Sequence, residues 1–129
     1  MQRHVYSGRL KLSGEEHYDT FRAANNYVNT LICLKRFDEA KRILRRTVPV
    51  ARRVLGTEHA ITLSLREDLA CATLGGESSV EEKREALQML EDTVAVMRRV
   101  LGPAHPDTVH AQGWLKKVYR QRIGGASNL

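Results

Sequence analysis

The chain has few cysteines, few aromatic residues and no long apolar run, and each shortage excludes a class of protein. Its 2 cysteines, Cys33 and Cys71, are too few for a disulfide scaffold and lie outside any metal-ligand spacing. We therefore interpret them as reduced thiols and expect neither a metal nor a cofactor. No stretch approaches the roughly 20 apolar residues of a membrane span. The first thirteen residues also lack an apolar segment of signal-peptide length, so we expect a cytoplasmic protein.

Aromatic residues make up only 5% of the chain, which leaves few rings on which nucleic-acid bases could stack. The charge nevertheless leaves a nucleic-acid partner open. The net charge is +6, with 12 Lys/Arg against 5 Asp/Glu in residues 1–53 and 9 against 10 in residues 54–129. A basic half of this kind could meet RNA, DNA or an acidic peptide. The arginines that would form such a surface are Arg42, Arg45, Arg46, Arg52 and Arg53.

One phrase is written almost identically twice, as RRVLGTEHAIT from Arg52 and as RRVLGPAHPDT from Arg98. Its second half occurs once more upstream, as GEEHYDT. The glycines of the three copies stand at positions 14, 56 and 102, which gives spacings of 56 − 14 = 42 and 102 − 56 = 46 residues. A period of roughly 20–50 residues is typical of stacked-repeat proteins.

Each period contains two segments of helical length. In the segment from Thr20 to Leu34, apolar residues recur every three or four positions, as on one face of a helix. The glycine of each phrase can end one helix in a left-handed conformation, and HPDT, His105 to Thr108, can begin the next. The phrase is therefore predicted to contain the end of one helix, a turn and the start of the next helix.

Alignment of the sequence with itself, shifted by one repeat period, shows how the units are organised. The four additional residues of the second unit must lie within GGESSVEEKR, which we interpret as a lengthened loop with a new helix cap. The predicted organisation is a partial helix over residues 1–13, a repeat over 14–56, a second repeat over 57–102 with its loop at 75–84, the first helix of a third repeat over 103–122, and a flexible tail over 123–129.

The pattern HPDT…NN…L…FDEA…L…ARRVLG closely resembles tetratricopeptide repeats of the kinesin-light-chain type. The resemblance implies an all-α fold, a right-handed α-α superhelix of about six antiparallel helices. Two residues of the first unit depart from the pattern. Lys35 replaces the glycine usual between the two helices, and Pro49 is expected to kink the second helix. The residues that carry the resemblance are His17, Asp19, Thr20, Asn25, Asn26, Phe37 to Ala40, Arg52 to Gly56, His59, Thr62, Glu85, Ala86 and Arg98 to Gly102, with His105 to Thr108.

The resemblance also implies a function. In stacked helix pairs the first helices line a concave face, and in tetratricopeptide domains this face binds peptides. Asp68 stands where the related carboxylate-binding sites need an uncharged amide, so binding of chaperone tails is not expected. The inner positions, and hence the predicted peptide-binding residues, are Arg22, Asn25, Asn26, Asn29, Ser64, Glu67, Asp68 and Cys71.

No motif of catalysis occurs in the sequence: it has no Gly-rich phosphate loop, no nucleophile elbow and no His-Glu zinc motif. His17, His59 and His105 recur at the repeat spacing, so we predict that they cap turns. The sequence therefore indicates a non-catalytic scaffold that binds a protein or peptide. Two alternatives remain, a nucleic-acid-binding repeat protein and a structural fragment of a longer solenoid. If residues 1–13 are half of a helix pair, their uncovered apolar side favours self-association.

Overall fold

The computed structural model describes residues 18–127, with side chains up to residue 121, and this segment is helical apart from its turns. No strand occurs among these residues, which confirms the all-α prediction. The helix predicted over residues 1–13 and the first copy of the repeated phrase at Gly14 and His17 lie outside the described residues. The helices are α1 (Tyr18–Cys33), α2 (Phe37–Leu55), α3 (Ala60–Gly75), α4 (Val80–Val100) and α5 (Pro106–Ser127).

The helices form because apolar side chains recur at helical spacing and are buried together. On α1, Phe21, Ala24, Val28 and Leu31 are all at most 1% exposed, and they follow one another at intervals of three or four residues. Phe21, Val28 and Leu31 pack against α2 and α3 in one core cluster. A second cluster joins α3, α4 and α5. Helix α3 therefore contributes to both cores.

The packing is asymmetric in a way that curves the stack. Successive helices pack in antiparallel pairs, and the first helices of each pair also contact one another, α1 with α3 and α3 with α5. The backbones of α2 and α4 do not make the corresponding contact. The first helices are thus closer together than the second helices, and they line the concave side of a solenoid. None of the helices within residues 18–127 combines the length and apolarity needed to cross a bilayer.

The repeated phrase is explained by hydrogen bonds that recur 46 residues apart. The Thr62 hydroxyl donates to the Ala51 carbonyl oxygen across 3.3 Å, and the Thr108 hydroxyl donates to that of Met97 across 3.4 Å. His59 Nδ1 accepts from the backbone N–H two residues ahead, as does Nδ1 of the second histidine, His105. The phrase thus joins the end of one helix pair to the start of the next, and the capping role is confirmed for both histidines.

The predicted loop at 75–84 is mostly helix. Helices α1 and α3 are both 16 residues long, but the turn after α3 has four residues, 76–79, and the turn after α1 has three, 34–36. The counterpart of Phe37 46 residues on is Lys83, yet α4 begins three residues earlier, at Val80. Ser79 and Glu82 form a reciprocal capping box that allows this extension, so the predicted new helix cap is confirmed.

One further boundary differs from the sequence-based expectation. Helix α5 continues to Ser127, although a flexible tail was expected from residue 123 onward. Helix α2 runs through Pro49 and ends at Leu55, just before Gly56 as the sequence predicts, and the kink expected at Pro49 stays a prediction. Pro49 is exposed, so it removes a backbone donor at a position that water reaches.

Lys35 occupies a backbone conformation that ordinarily favours glycine. Its φ is 61°, the only positive value of a non-glycine residue between positions 18 and 127. Its N–H donates to the Ile32 carbonyl oxygen, and the Arg36 N–H donates to that of Leu31, with lengths of 3.0 and 2.8 Å. This pair of bonds is the Schellman arrangement that ends many helices on a left-handed residue.

A Lys35→Gly variant should therefore be more stable than the parent by about 0.5–1 kcal/mol. The strain of a left-handed side chain is removed, and the greater freedom of glycine in the unfolded chain offsets only part of this gain. Urea unfolding followed by circular dichroism measures the difference. Lys116→Gly, within the exposed part of α5, is the matched control and should lose about 1 kcal/mol. Equal losses in both variants would contradict the strain argument.

Candidate functional site

The concave side carries a polar link between α1 and α3. Asn25 projects from α1, and its Nδ2 donates to Ser64 Oγ at 3.2 Å and to Asp68 Oδ2 at 2.8 Å. Asn29, one turn further along α1, donates to the backbone oxygen of Asn25 at 2.8 Å. Four of the predicted binding residues thus form one hydrogen-bonded group, in which the amides already hold partners from the chain itself.

A second polar link joins α3 to α5. Glu67 is only 2% exposed, and its Oε2 lies 2.7 Å from Nδ1 of His110. Burial raises the pKa of Glu67, and the hydrogen bond with His110 offsets part of that rise. The same bond raises the pKa of His110. Both values move upward because burial dominates at the enclosed carboxyl, whereas the pairing dominates at the more exposed imidazole.

Asp68 is buried directly beside this pair. It is also 2% exposed, and burial together with the neighbouring Glu67 raises its pKa well above the usual range of an aspartate. The Asn25 bond and the negative charge of Asp107 act in opposite directions on the same group. Two adjacent carboxyls are thus enclosed, each held by a side chain of a different first helix. We call Asn25, Asp68, Glu67 and His110 the buried row, and its hydrogen bonds join α1 to α3 and α3 to α5.

A groove of about 300 Å³ opens next to the row. Asn29, Asp68 and Cys71, three of the predicted residues, line it from α1 and α3. From α5 come His110, Trp114 and Lys117, with the Lys117 ammonium 5.1 Å from the centre of the Trp114 ring. Lys35 and Phe37 line it near the α1–α2 turn. The exposed charged groups at its edge are cationic, whereas the carboxyl below them is buried.

Two predicted residues belong neither to this groove nor to the two polar links. Arg22 and Asn26 are exposed side chains of α1. The position equivalent to Asn26 in the next repeat is Asp68, 42 residues later, and Asp68 does line the groove. The two positions differ because the groove lies between α3 and α5 and only beside α1. The predicted residues are therefore divided between the groove, the buried row and the outer surface of α1.

The groove residues of α5 were not predicted, although the sequence contained the signal. Adding 46 to Ser64, Asp68 and Cys71 gives positions 110, 114 and 117. The prediction considered the first helices of two repeats and left out the third. The same frame shift that located the lengthened unit would have added His110, Trp114 and Lys117.

The side chains that line this groove offer hydrogen-bonding and charged groups. Burial, with the charges of Glu67 and Asp68, raises the pKa of the Cys71 thiol, so it does not act as a thiolate nucleophile. Cys33 is also a free thiol and is exposed. Among residues 18–127, no three side chains of the metal-ligating types come together.

The arginine-rich surface of α2 is partly engaged in contacts with the start of α4. The Arg45 guanidinium lies 3.5 Å from Glu82 Oε2, and Lys41 Nζ donates to Ser78 Oγ at 3.0 Å. Lys41 is buried at this contact. These basic groups therefore help to hold the two repeats together.

Comparison with known families gives a match over more than half of the chain. Residues 20–61 and 78–107 match a family profile described as tetratricopeptide repeat. The first matched segment contains α1 and α2, and the second contains α4 with the following turn. No curated protein matches the chain.

Proposed function

Because the chain belongs to the tetratricopeptide repeat family, we propose that it is a non-catalytic scaffold that binds a peptide or protein partner in the groove of its concave face. Repeats of this family generally mediate protein–protein interaction. The observation that carries the proposal is the groove itself, in which side chains of three successive first helices meet around about 300 Å³. A pocket of this size accommodates one or two side chains of a bound segment.

The groove offers three kinds of contact to a peptide. The Asn29 side chain donates one N–H to the Asn25 backbone oxygen, so its side-chain oxygen and its second N–H remain for a peptide backbone. The Trp114 ring offers an apolar face. Lys35 and Lys117 place exposed cationic groups at the edge, so a segment that carries carboxylates is favoured.

The repeats are further proposed to be of the kinesin-light-chain type, and the chain to act in the cytoplasm. The support for the type is the residue pattern, which the structure explains in part through His59, Thr62 and their counterparts. Imaging of a fluorescent fusion in intact cells would test the location. Accumulation inside an organelle would contradict it.

Affinity capture with matched variants tests the main proposal. We expect Lys117→Glu to lose the partners of the parent, because it reverses a charge at the groove edge. Lys116→Glu, an exposed neighbour that does not line the groove, should retain them. Far-ultraviolet circular dichroism should show that both variants remain folded. Partners retained equally by both variants would place binding elsewhere, and partners lost on nuclease treatment would favour the nucleic-acid alternative.

A further inference from the structure

A second cavity lies between the second repeat and α5, and it shares no lining residue with the concave groove. It encloses about 310 Å³ between the start of α4 and the middle of α5. Four apolar side chains and two cationic ones line it, and no carboxylate is among the lining residues. We refer to this cavity as the apolar socket. Its lining residues are Leu74, Val80, Lys83, Arg84, Leu87 and Val118.

The first repeat shows what occupies the corresponding place. There Phe37 packs against the end of α3 so closely that a Cβ added to Gly75 would lie 2.6 Å from the Phe37 ring. A Cβ added to Gly76 would lie 3.1 Å from Phe37 Cβ and equally close to the Ala72 carbonyl oxygen. Ile32 of α1 belongs to the same core cluster. An aromatic ring thus fills the space between two successive first helices.

In the second repeat two apolar positions of this space are kept and the ring is missing. Leu74 stands 42 residues after Ile32, and Val118 stands 46 residues after Ala72, so both sides remain apolar. The counterpart of Phe37 is Lys83, whose ammonium group is too polar to fill an apolar cavity. The socket therefore lacks the ring that the first repeat has at the equivalent position.

The inserted helical residues enlarge the apolar area. Val80 is the first residue of α4, in the segment that the first repeat lacks, and it is 73% exposed. Leu87 and Val118 are each 9% exposed and form the inner part of the cavity. Covering an exposed valine and the apolar cavity below it removes apolar surface from water, which favours binding of a partner at this place.

We propose that the apolar socket is a docking site for an aromatic side chain of a protein partner, flanked by carboxylates that pair with Lys83 and Arg84. The ring is indicated by Phe37, which fills the equivalent place in the first repeat. The carboxylates are indicated by charge, because both charged side chains of the lining are cationic. The socket shares no lining residue with the concave groove, so variants at the two sites can be tested independently.

Two short peptides test the proposal on the whole chain. The probes are N-acetyl-Asp-Phe-Glu amide and N-acetyl-Asp-Ala-Glu amide, titrated against protein with labelled methyl groups. The Phe peptide should shift the methyl signals of Leu74, Val80, Leu87 and Val118 and should bind at least tenfold more tightly than the Ala peptide. The methyls of Val109, an exposed residue of the same helix α5, should not move.

Two variants separate the contributions of the ring and the charge. Lys83→Phe supplies the missing ring from the chain itself, so it should abolish binding of the Phe peptide and raise the melting temperature by a few degrees. Arg84→Glu keeps the cavity and reverses one charge, so it should weaken that peptide and favour N-acetyl-Lys-Phe-Lys amide. If Lys83→Phe does not fold, the Arg84→Glu comparison still decides the matter.

Several outcomes would overturn the proposal. These are equal affinities for the Phe and Ala peptides, shifts that centre on the Trp114 ring instead of the four methyl-bearing residues, or no shift at all. Nuclear Overhauser effects from residues 122–129 to the Leu87 methyls in the free protein would show that the chain covers the socket itself. Shifts at Trp114 would place the peptide in the concave groove, whose role the Lys117→Glu variant tests separately.

Discussion

An Asp68→Asn variant should unfold with a free energy about 2 kcal/mol higher than that of the parent at pH 8, and this advantage should disappear at acidic pH. Burial and the adjacent Glu67 raise the pKa of Asp68, so the folded protein disfavours the ionised carboxylate. An asparagine of nearly the same shape has no charge to bury. Its side-chain oxygen can still accept the Asn25 hydrogen bond, and an asparagine, Asn26, stands at the equivalent position of the first repeat.

The sign of the pH dependence follows from this upward shift. In the parent, the cost of burying the Asp68 charge is fully present above its raised folded pKa. It falls as the pH drops through that value, and it is absent below the pKa of the unfolded state. His110 acts in the same sense, because its raised pKa gives stability that is lost as the pH rises. The parent should therefore gain stability between pH 8 and mildly acidic pH.

Urea unfolding at several pH values, with Glu77→Gln as the control, measures this effect. Glu77 is exposed in the turn before α4, so its neutralisation should change the free energy of unfolding by less than about 0.5 kcal/mol at any pH. An Asp68→Asn variant that is less stable than the parent at pH 8 would show that the ionised carboxylate is well compensated in the fold.

A Leu65→Ala substitution should destabilise the protein by about 3 kcal/mol and should do so in both repeats at once. Leu65 is fully buried in the first core cluster, so truncation removes apolar contacts and leaves a cavity. Its helix, α3, also supplies Leu63 and Ala70 to the second cluster. When α3 unfolds, each cluster loses the side chains that α3 contributes, so the two clusters should unfold together.

Trp114 provides a separate probe for the second cluster, because it lies on α5 and packs there. The urea midpoint from its fluorescence should fall as far as the midpoint from circular dichroism. Val109→Ala, an exposed truncation on α5, should shift neither midpoint by much. A fluorescence transition that stays at the parent midpoint while the dichroism shifts would show that the repeats unfold independently.

The repeat period located the helices well because the repeated phrase carries its own hydrogen bonds. His59 and Thr62 form contacts within a few residues or with the preceding helix, and a glycine ends that helix, so the local sequence determines the turn. The inserted segment was harder to place. Gly75 and Gly76 suggested a long loop, but the capping box at Ser79 and Glu82 favours helix from Val80 onward.

The candidate site was predictable only in part. Asn29 and Cys71 follow from helical spacing, and His110 and Trp114 follow from the same frame shift applied once more. The burial of Glu67 and Asp68 does not follow, because charged side chains at these positions ordinarily face water. They are enclosed because α1 and α5 flank α3 closely, a distance that no local sequence pattern encodes.

The closer spacing of the first helices has a mechanical consequence. Contacts that join α1, α3 and α5 resist any motion that pulls these helices apart, whereas α2 and α4 make no backbone contact that such a motion would break. The stack is therefore stiff when its concave side is stretched and compliant when its outer side fans open. A pull along the solenoid axis should accordingly bend the molecule toward tighter curvature before it extends it, so that a first increment of load narrows the groove.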